Sequence, residues 1–408
     1  MPASQKRCKG WGVKRWAQLQ AGARWSAGWL TTCGVLVLAA CGGGGGGSPA
    51  SLGAATPSVG TSVALSGCSI FPATAIFNTR IDNTAAFPVH PSNTAWKNAI
   101  DSSGTRLLHL DWGQSEDQSQ HGTYWGIPIN VVDGAAVRTN WPLVSYPNPA
   151  GGDSAPDESD CAVASGGGYA LQRNCQAVAA PHLPIPQDAS LKVEGGYCPV
   201  GQDCGAGDHH ILVLETGSCR LWEAYYATGS AEQSPNGAWE LYGSAAWDLN
   251  SLEQRPDGWT SADAAGLPIM PLLVRADEAS AGEIKHPLRV TLRGATLAAS
   301  YVWPARHKAG AGAGTIPFGA LLRLRADFVI PSNWNTQAKA VATAMKRYGL
   351  YVADIGTDLY IQGEPSAQWQ SSTWDQLQTI NLSQFEFVSL AGITGRAGFN
   401  SNSLAASW

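Results

Sequence analysis

The chain has 408 residues, enough for two domains or one large β domain at about 150 residues per domain. Only 14% of them are charged, against roughly 25% in an average soluble protein, so Gly, Ser, Thr, Asn and Gln must build much of the surface. With 26 Lys+Arg, 31 Asp+Glu and a net charge of -5, the composition argues against a highly charged disordered chain and against a nucleic-acid binder that relies on a basic surface.

Residues 1–40 read as a targeting segment. Lys6, Arg7, Lys9, Lys14, Arg15 and Arg24 stand there with no acid before the apolar run Trp29 to Ala40. That run is 12 residues, shorter than the roughly 20 that span a bilayer, and it has the length of a signal-peptide core. Leu38-Ala39-Ala40-Cys41 resembles the bacterial lipoprotein box. That resemblance implies acylation of Cys41 and attachment to the membrane through acyl chains. Gly at position 42 implies sorting to the outer membrane. Residues 41–66, opening on six consecutive glycines, read as a Gly/Ser/Pro-rich tether. Residues 67–408 are expected to form a single large β-rich domain.

Six cysteines follow the tether: Cys68, Cys161, Cys175, Cys198, Cys204 and Cys219. An even number in an exported chain reads as disulfides. The favoured pairing is Cys161–Cys175, Cys198–Cys204 and Cys68–Cys219. The rival is a thiolate zinc site, which the lack of any CxxC pair disfavours.

Strands are expected at Ile127–Val132, His210–Glu215, Arg220–Tyr226, Leu288–Leu292, Ala298–Trp303 and Leu321–Ile330, with turn clusters between them. The run from 210 to 215 is apolar on both faces, which predicts a central strand covered on both sides. Residues 146–182, rich in Pro and Gly, read as a loop insertion pinned by Cys161 and Cys175. Ala338, Val341, Ala342, Met345 and Tyr348 recur at helical spacing, predicting a helix over Thr336 to Tyr348 ended by Gly349. Val352, Leu359 to Gln362 and Phe385 to Val388 suggest further strands. The expected fold is mainly β, a sandwich or jelly-roll-like core with one late helix, α+β at the C-terminal end.

Several stretches are similar to a family of uncharacterised exported bacterial proteins, some described as lipoproteins. They are Phe77-Asn78-Thr79, Phe87-Pro88-Val89-His90-Pro91, Gly126-Ile127-Pro128-Ile129-Asn130, Asp157-Glu158-Ser159-Asp160, Asp208-His209-His210, Trp247-Asp248-Leu249, the run from Arg255 to Asp263, and the run from Tyr301 to His307. The resemblance spans about residues 70 to 390 and implies one coherent globular unit. It implies no activity.

Candidate chemistry concentrates between Trp247 and Arg289. Glycoside hydrolysis needs two carboxyls, one protonated and one ionised. Asp263 and Glu278 are the candidate catalytic pair, with Asp248 beside them. Arg275, His210, His307, Arg306 and Trp259 are candidates for substrate binding. The competing reading is structural: Arg255 and Arg275 pair with Asp257 and Asp277 and hold loops. A mononuclear metal site could draw on His209 or His210 with His307, His286 or Glu223, but a strand histidine is more often a satisfied core group. No metal or other cofactor is expected. Glu223, between Leu221 and Tyr225 on one strand face, reads as a buried acid. Thirteen of the 17 Trp lie after residue 41, among them Trp112, Trp125, Trp239, Trp247, Trp259, Trp303, Trp334 and Trp369. Indole faces stack on the C–H faces of sugars, although most Trp pack cores. The absence of GxSxG, HExxH and Walker A motifs disfavours a serine hydrolase, a zincin or an NTPase. The expected function is a membrane-anchored exported lipoprotein that binds or cleaves extracellular polysaccharide. The alternative is a non-catalytic envelope structural or lectin-like lipoprotein.

Overall fold

A computed structural model describes residues 62–120, 124–134, 141–147, 154–198, 207–229, 239–310 and 312–406. Cys41, the targeting segment and most of the tether lie outside them. The described residues form one unit of mainly β structure with two larger sheets.

The four-stranded sheet runs in the order Gly243–Asp248, Arg220–Tyr225, Ile211–Thr216, Ile129–Asp133. Its first two pairings are antiparallel and the last is parallel. Ile211–Thr216 is buried over five of its six residues and lies inside the sheet, as its apolar run predicts. Side chains alternate across a strand, so Leu212 and Leu214 join one apolar cluster while Ile211 and Val213 join another. Each fully buried Leu or Val of this kind stabilises the fold by about 1.5–3 kcal/mol.

The six-stranded sheet is mixed. Its order is Phe385–Val388, Leu321–Leu324, Leu350–Ile355, Leu288–Leu292, Tyr360–Gln362, His109–Asp111. Leu350–Ile355 pairs with Leu288–Leu292 in parallel, and so does Tyr360–Gln362 with His109–Asp111. One apolar cluster holds Leu212, Leu221 and Trp247 from the smaller sheet with Leu288, Val290 and Leu350 from the larger. A second, on the other side of the smaller sheet, gathers Val213, Trp222, Trp141 and Ala162.

The late helix is Thr336–Arg347. Asn335 caps it by accepting the Ala338 N–H at 2.7 Å, and Ala338, Val341, Ala342 and Met345 form its buried face. The expectation of a single helix is corrected. Among the described residues four shorter α-helices join it: Asn93–Asp101, Ala276–Ala281, Ser372–Leu377 and Ala391–Thr394. The first is anchored mainly by Trp96 and Ile100, one turn apart, and the others have six residues or fewer, so none carries a long apolar stripe. The strand expected over Leu321–Ile330 stops at Leu324. Arg325 and Asp327 pair at 2.6 Å in the turn that follows. Within the insertion at 146–182 the chain forms an antiparallel hairpin, Asp160–Ser165 with Gly168–Arg173.

Two of the expected disulfides are present, Cys68–Cys219 and Cys161–Cys175. Cys198 is disulfide-bonded, and its expected partner Cys204 lies outside the described residues. Among the described residues no helix is long and apolar enough to cross a membrane.

Candidate functional site

Two of the motifs are partners in one joint. Asp160, fully buried, accepts hydrogen bonds from Arg255 Nε at 2.9 Å, Arg173 Nη1 at 3.0 Å and Ala246 N at 2.9 Å. Glu158 accepts from Thr260 N at 2.8 Å. The Arg255 guanidinium also lies 5.6 Å from the Trp247 ring and 5.7 Å from that of Trp259. Arg255 therefore holds Asp160 rather than the expected Asp257. Trp259 is half-buried in this joint and not a free platform. Arg306 and His307 brace the same loop: both backbone N–H groups donate to Ala265 O, and Arg306 Nε donates to Arg255 O. Gly266 sits at φ +68, where a Cβ would come within 2.9 Å of Trp259 O and 3.1 Å of Arg306.

The expected catalytic pair is divided between two ion-pair clusters. Asp263 is buried and bonded to Arg289 Nη2 at 2.6 Å, and Asp354 meets the same nitrogen at 3.1 Å. Burial pushes the Asp263 carboxyl up to about 7. Glu278 pairs with Arg275 at 2.7 Å and His286 at 2.9 Å. Burial opposes its charge, but His286 and Arg275 outweigh that and hold it below the usual carboxylate range. Neither acid lines the cavities described below, and Glu278 is the reverse of a proton donor. Asp248 is exposed at a strand end, where it accepts from Asn250 N in a turn. Arg275 pairs more closely with Glu278 than with Asp277, at 3.7 Å.

His210 leads inward from this network to an acid-lined cavity. The chain enters strand Ile211–Thr216 through His209, which is held at φ +49. His210 is buried, with Nδ1 2.6 Å from Glu194 Oε2 and Nε2 2.8 Å from Ala262 O. Both neighbours are acceptors, so both ring nitrogens must donate and the imidazole is charged. Burial opposes this, but the Glu194 charge and hydrogen bond raise His210 to about 9. For Glu194, too, burial favours the neutral form, and His210 reverses it and keeps the carboxyl below its usual range. Glu223 is the buried acid its strand position predicts. It accepts the N–H groups of Ile269 and Met270 at 2.9 and 2.8 Å, and burial raises it to about 7.

Glu194 opens onto a cavity of about 300 Å³, with Asp111, Asp208, Tyr124, Trp125, Tyr360 and Gln362 also in its walls. Asp111 stands at the end of the edge strand His109–Asp111. Burial, then the charge of Glu194, pushes its carboxyl up to about 6. The cavity therefore holds two carboxyls biased toward the acid form, Asp111 and Asp208, the latter also raised to about 6 by burial and the charge of Glu194, and one, Glu194, biased toward the carboxylate. The Tyr124 hydroxyl in its wall has no hydrogen-bond partner among the described residues, although the residue is 1% exposed. Among the described residues no Lys or Arg lines the cavity.

Sequence reasoning placed His210 and Glu223 near this chemistry but missed Asp111 and Glu194. A signal existed for each. Asp111 alternates with apolar Leu110 and Trp112, and Glu194 precedes a Gly-Gly turn where side chains approach closely. Among the described residues no group of three His, Cys, Asp or Glu is placed to hold a metal ion. No protein-family model, curated protein or solved structure matches this chain.

Proposed function

We propose that this is an exported, lipid-anchored protein that hydrolyses polysaccharide in the cavity of Asp111 and Glu194. The observation that carries the reading is their asymmetry. Of the three carboxyls in this cavity, Asp111 and Glu194 have surroundings that push their proton affinities in opposite directions, which is the arrangement acid–base cleavage of a glycosidic bond requires. Asp111 gives its proton to the leaving oxygen as the glycosidic C–O bond breaks, and Glu194, fixed by His210, takes a proton from the water that forms the new C–O bond on the other face; passing that proton back through solvent to Asp111 resets the pair. Asp263 and Arg289 lie behind this pair as support. The same reading takes the two large sheets as facing layers of a sandwich, supported by the apolar cluster they share.

Turnover of a broad polysaccharide panel is the test. Asp111→Asn and Glu194→Gln should each lower hydrolysis by about 10²–10⁴-fold with the fold retained by circular dichroism. The rate should fall as pH rises through about 6, where Asp111 loses its proton, and again on the acid side, below the usual carboxylate range, where Glu194 gains one. Absence of turnover by the wild type would move the protein to the non-catalytic lectin-like reading. Losses under about tenfold in both variants would remove Asp111 and Glu194 from the mechanism.

Anchoring is supported by the basic segment, the short apolar run and Leu38-Ala39-Ala40-Cys41, and by the disulfides, which form in oxidising compartments. Cys41→Ala should shift the protein from the membrane to the soluble fraction, since each acyl CH₂ contributes about 0.8 kcal/mol to attachment. Retention of that variant in the membrane fraction would refute lipidation at Cys41.

A further inference from the structure

Beside the acid cavity lies an open depression of about 590 Å³. Trp112, Trp125 and Trp374 line it together with Gln114, Gln120 and Ser371. Trp125 belongs to the walls of both. Its side chain is the most exposed of the large aromatic groups there, at 53%. The position is built. Trp125 O accepts from Gly113 N at 3.0 Å. The next residue, Gly126, has φ +102, and a Cβ on it would fall 2.5 Å from Gly363 O, so only glycine lets the chain pass and turn Trp125 outward. Trp112 is buried among Trp369 at 5.1 Å and Trp374 at 6.0 Å, and its Nε1 has no hydrogen-bond partner among the described residues.

We infer that this depression is a subsite for an uncharged polysaccharide, whose chain passes over Trp125 into the acid cavity. The inference rests on the hydrolase reading for the direction of the chain and deepens it by naming the substrate class. Three features select this ligand. Indole faces match the C–H faces of sugar rings. Amide and hydroxyl side chains between them match the hydroxyl rim. Among the described residues no charged side chain lines the depression, and those lining the adjoining cavity are the acids Asp111, Glu194 and Asp208, so a polyuronate or sulfated chain would meet carboxyls and no lining Lys or Arg. A combined space of this size accommodates a ligand of several rings rather than one.

The test is binding, read separately from cleavage. Hexasaccharides of glucose, xylose, mannose and N-acetylglucosamine, and a hexamer of galacturonic acid as the charged probe, would be titrated by calorimetry against Asp111→Asn protein, so that no ligand is consumed. At least one neutral hexamer should bind, and the galacturonate hexamer should bind at least tenfold more weakly. Trp125→Ala in the same background should weaken the neutral ligand tenfold or more. Trp125 is exposed, so its removal leaves the core intact. In the cleaving protein, Trp125→Ala should raise KM by more than it lowers kcat. Neutral binding unchanged by Trp125→Ala, equal or tighter binding of galacturonate, or no binding of any neutral hexamer overturns the subsite. Trp125-dependent neutral binding without cleavage by the wild type upholds the subsite and overturns the hydrolase. Cleavage that is indifferent to Trp125 does the reverse.

Discussion

Arg289→Met is expected to lose about 3–5 kcal/mol of folding stability near neutral pH. Arg289 is fully buried in strand Leu288–Leu292 and is the shared cation of Asp263 and Asp354. Methionine preserves much of the volume and removes the charge, leaving Asp263 buried with no counter-ion. The loss should depend on pH with a defined sign. Burial already lifts Asp263 to about 7, and losing Arg289 lifts it further. A carboxyl whose folded value lies above its unfolded value favours the folded state when protonated. Its contribution is therefore full below the unfolded value, about 4, and is lost as pH rises through the folded value. The deficit of Arg289→Met should grow between about pH 5 and about pH 8. Urea denaturation of wild type and variant at both values measures it. Asp263→Asn added to the variant should recover part of the loss at the higher pH. A deficit under about 1 kcal/mol there, or one equal at both pH values, would show that Arg289 does not serve as the counter-ion.

The second large effect concerns the disulfides. Cys68–Cys219 joins residues 151 apart in sequence, and Cys161–Cys175 joins residues 14 apart. Cross-linking removes unfolded-chain entropy in proportion to the logarithm of the loop, which gives about 5 kcal/mol for the long tie and about 3 for the short one. The long tie fastens the Cys68–Ile70 strand to the tight turn between Ile211–Thr216 and Arg220–Tyr225. The paired replacement Cys68→Ser with Cys219→Ser should therefore lower the unfolding free energy by more than Cys161→Ser with Cys175→Ser. Denaturation of the two double variants decides it. Equal losses, or a larger loss from the short loop, would mean that native packing around the bridges outweighs chain entropy.

Much of the framework was legible because it is local. Leu288–Leu292 and Phe385–Val388 announce themselves as unbroken β-forming runs, and Thr336–Arg347 as a helical stripe without Gly or Pro. The Cys161–Cys175 pairing was legible from its short spacing, although the hairpin that carries it stands where a loop was expected. The site was not legible, because its parts meet only through long-range pairing. Asp111 reaches the cavity because His109–Asp111 lies beside Tyr360–Gln362, and Glu194 because His210 turns inward from a residue in left-handed conformation. The expected pair Asp263 and Glu278 shared a polar stretch of sequence, but the helix Ala276–Ala281 carries Glu278 into its own pairing with Arg275 and His286. A dense run of charge thus marked joints that hold loops together, while the acids of the cavity stood alone among apolar neighbours.

The edge position of His109–Asp111 has a consequence for the order of assembly. Its sheet neighbour, Tyr360–Gln362, is made about 250 residues later, and Ile129–Asp133 likewise waits for Ile211–Thr216. At a synthesis rate of about 5–20 residues per second, the first of these strands spends roughly 10–50 s without its partner. Nothing near it in sequence can complete the sheet, so this edge stays unpaired until the C-terminal part is made. Such high contact order makes folding slow.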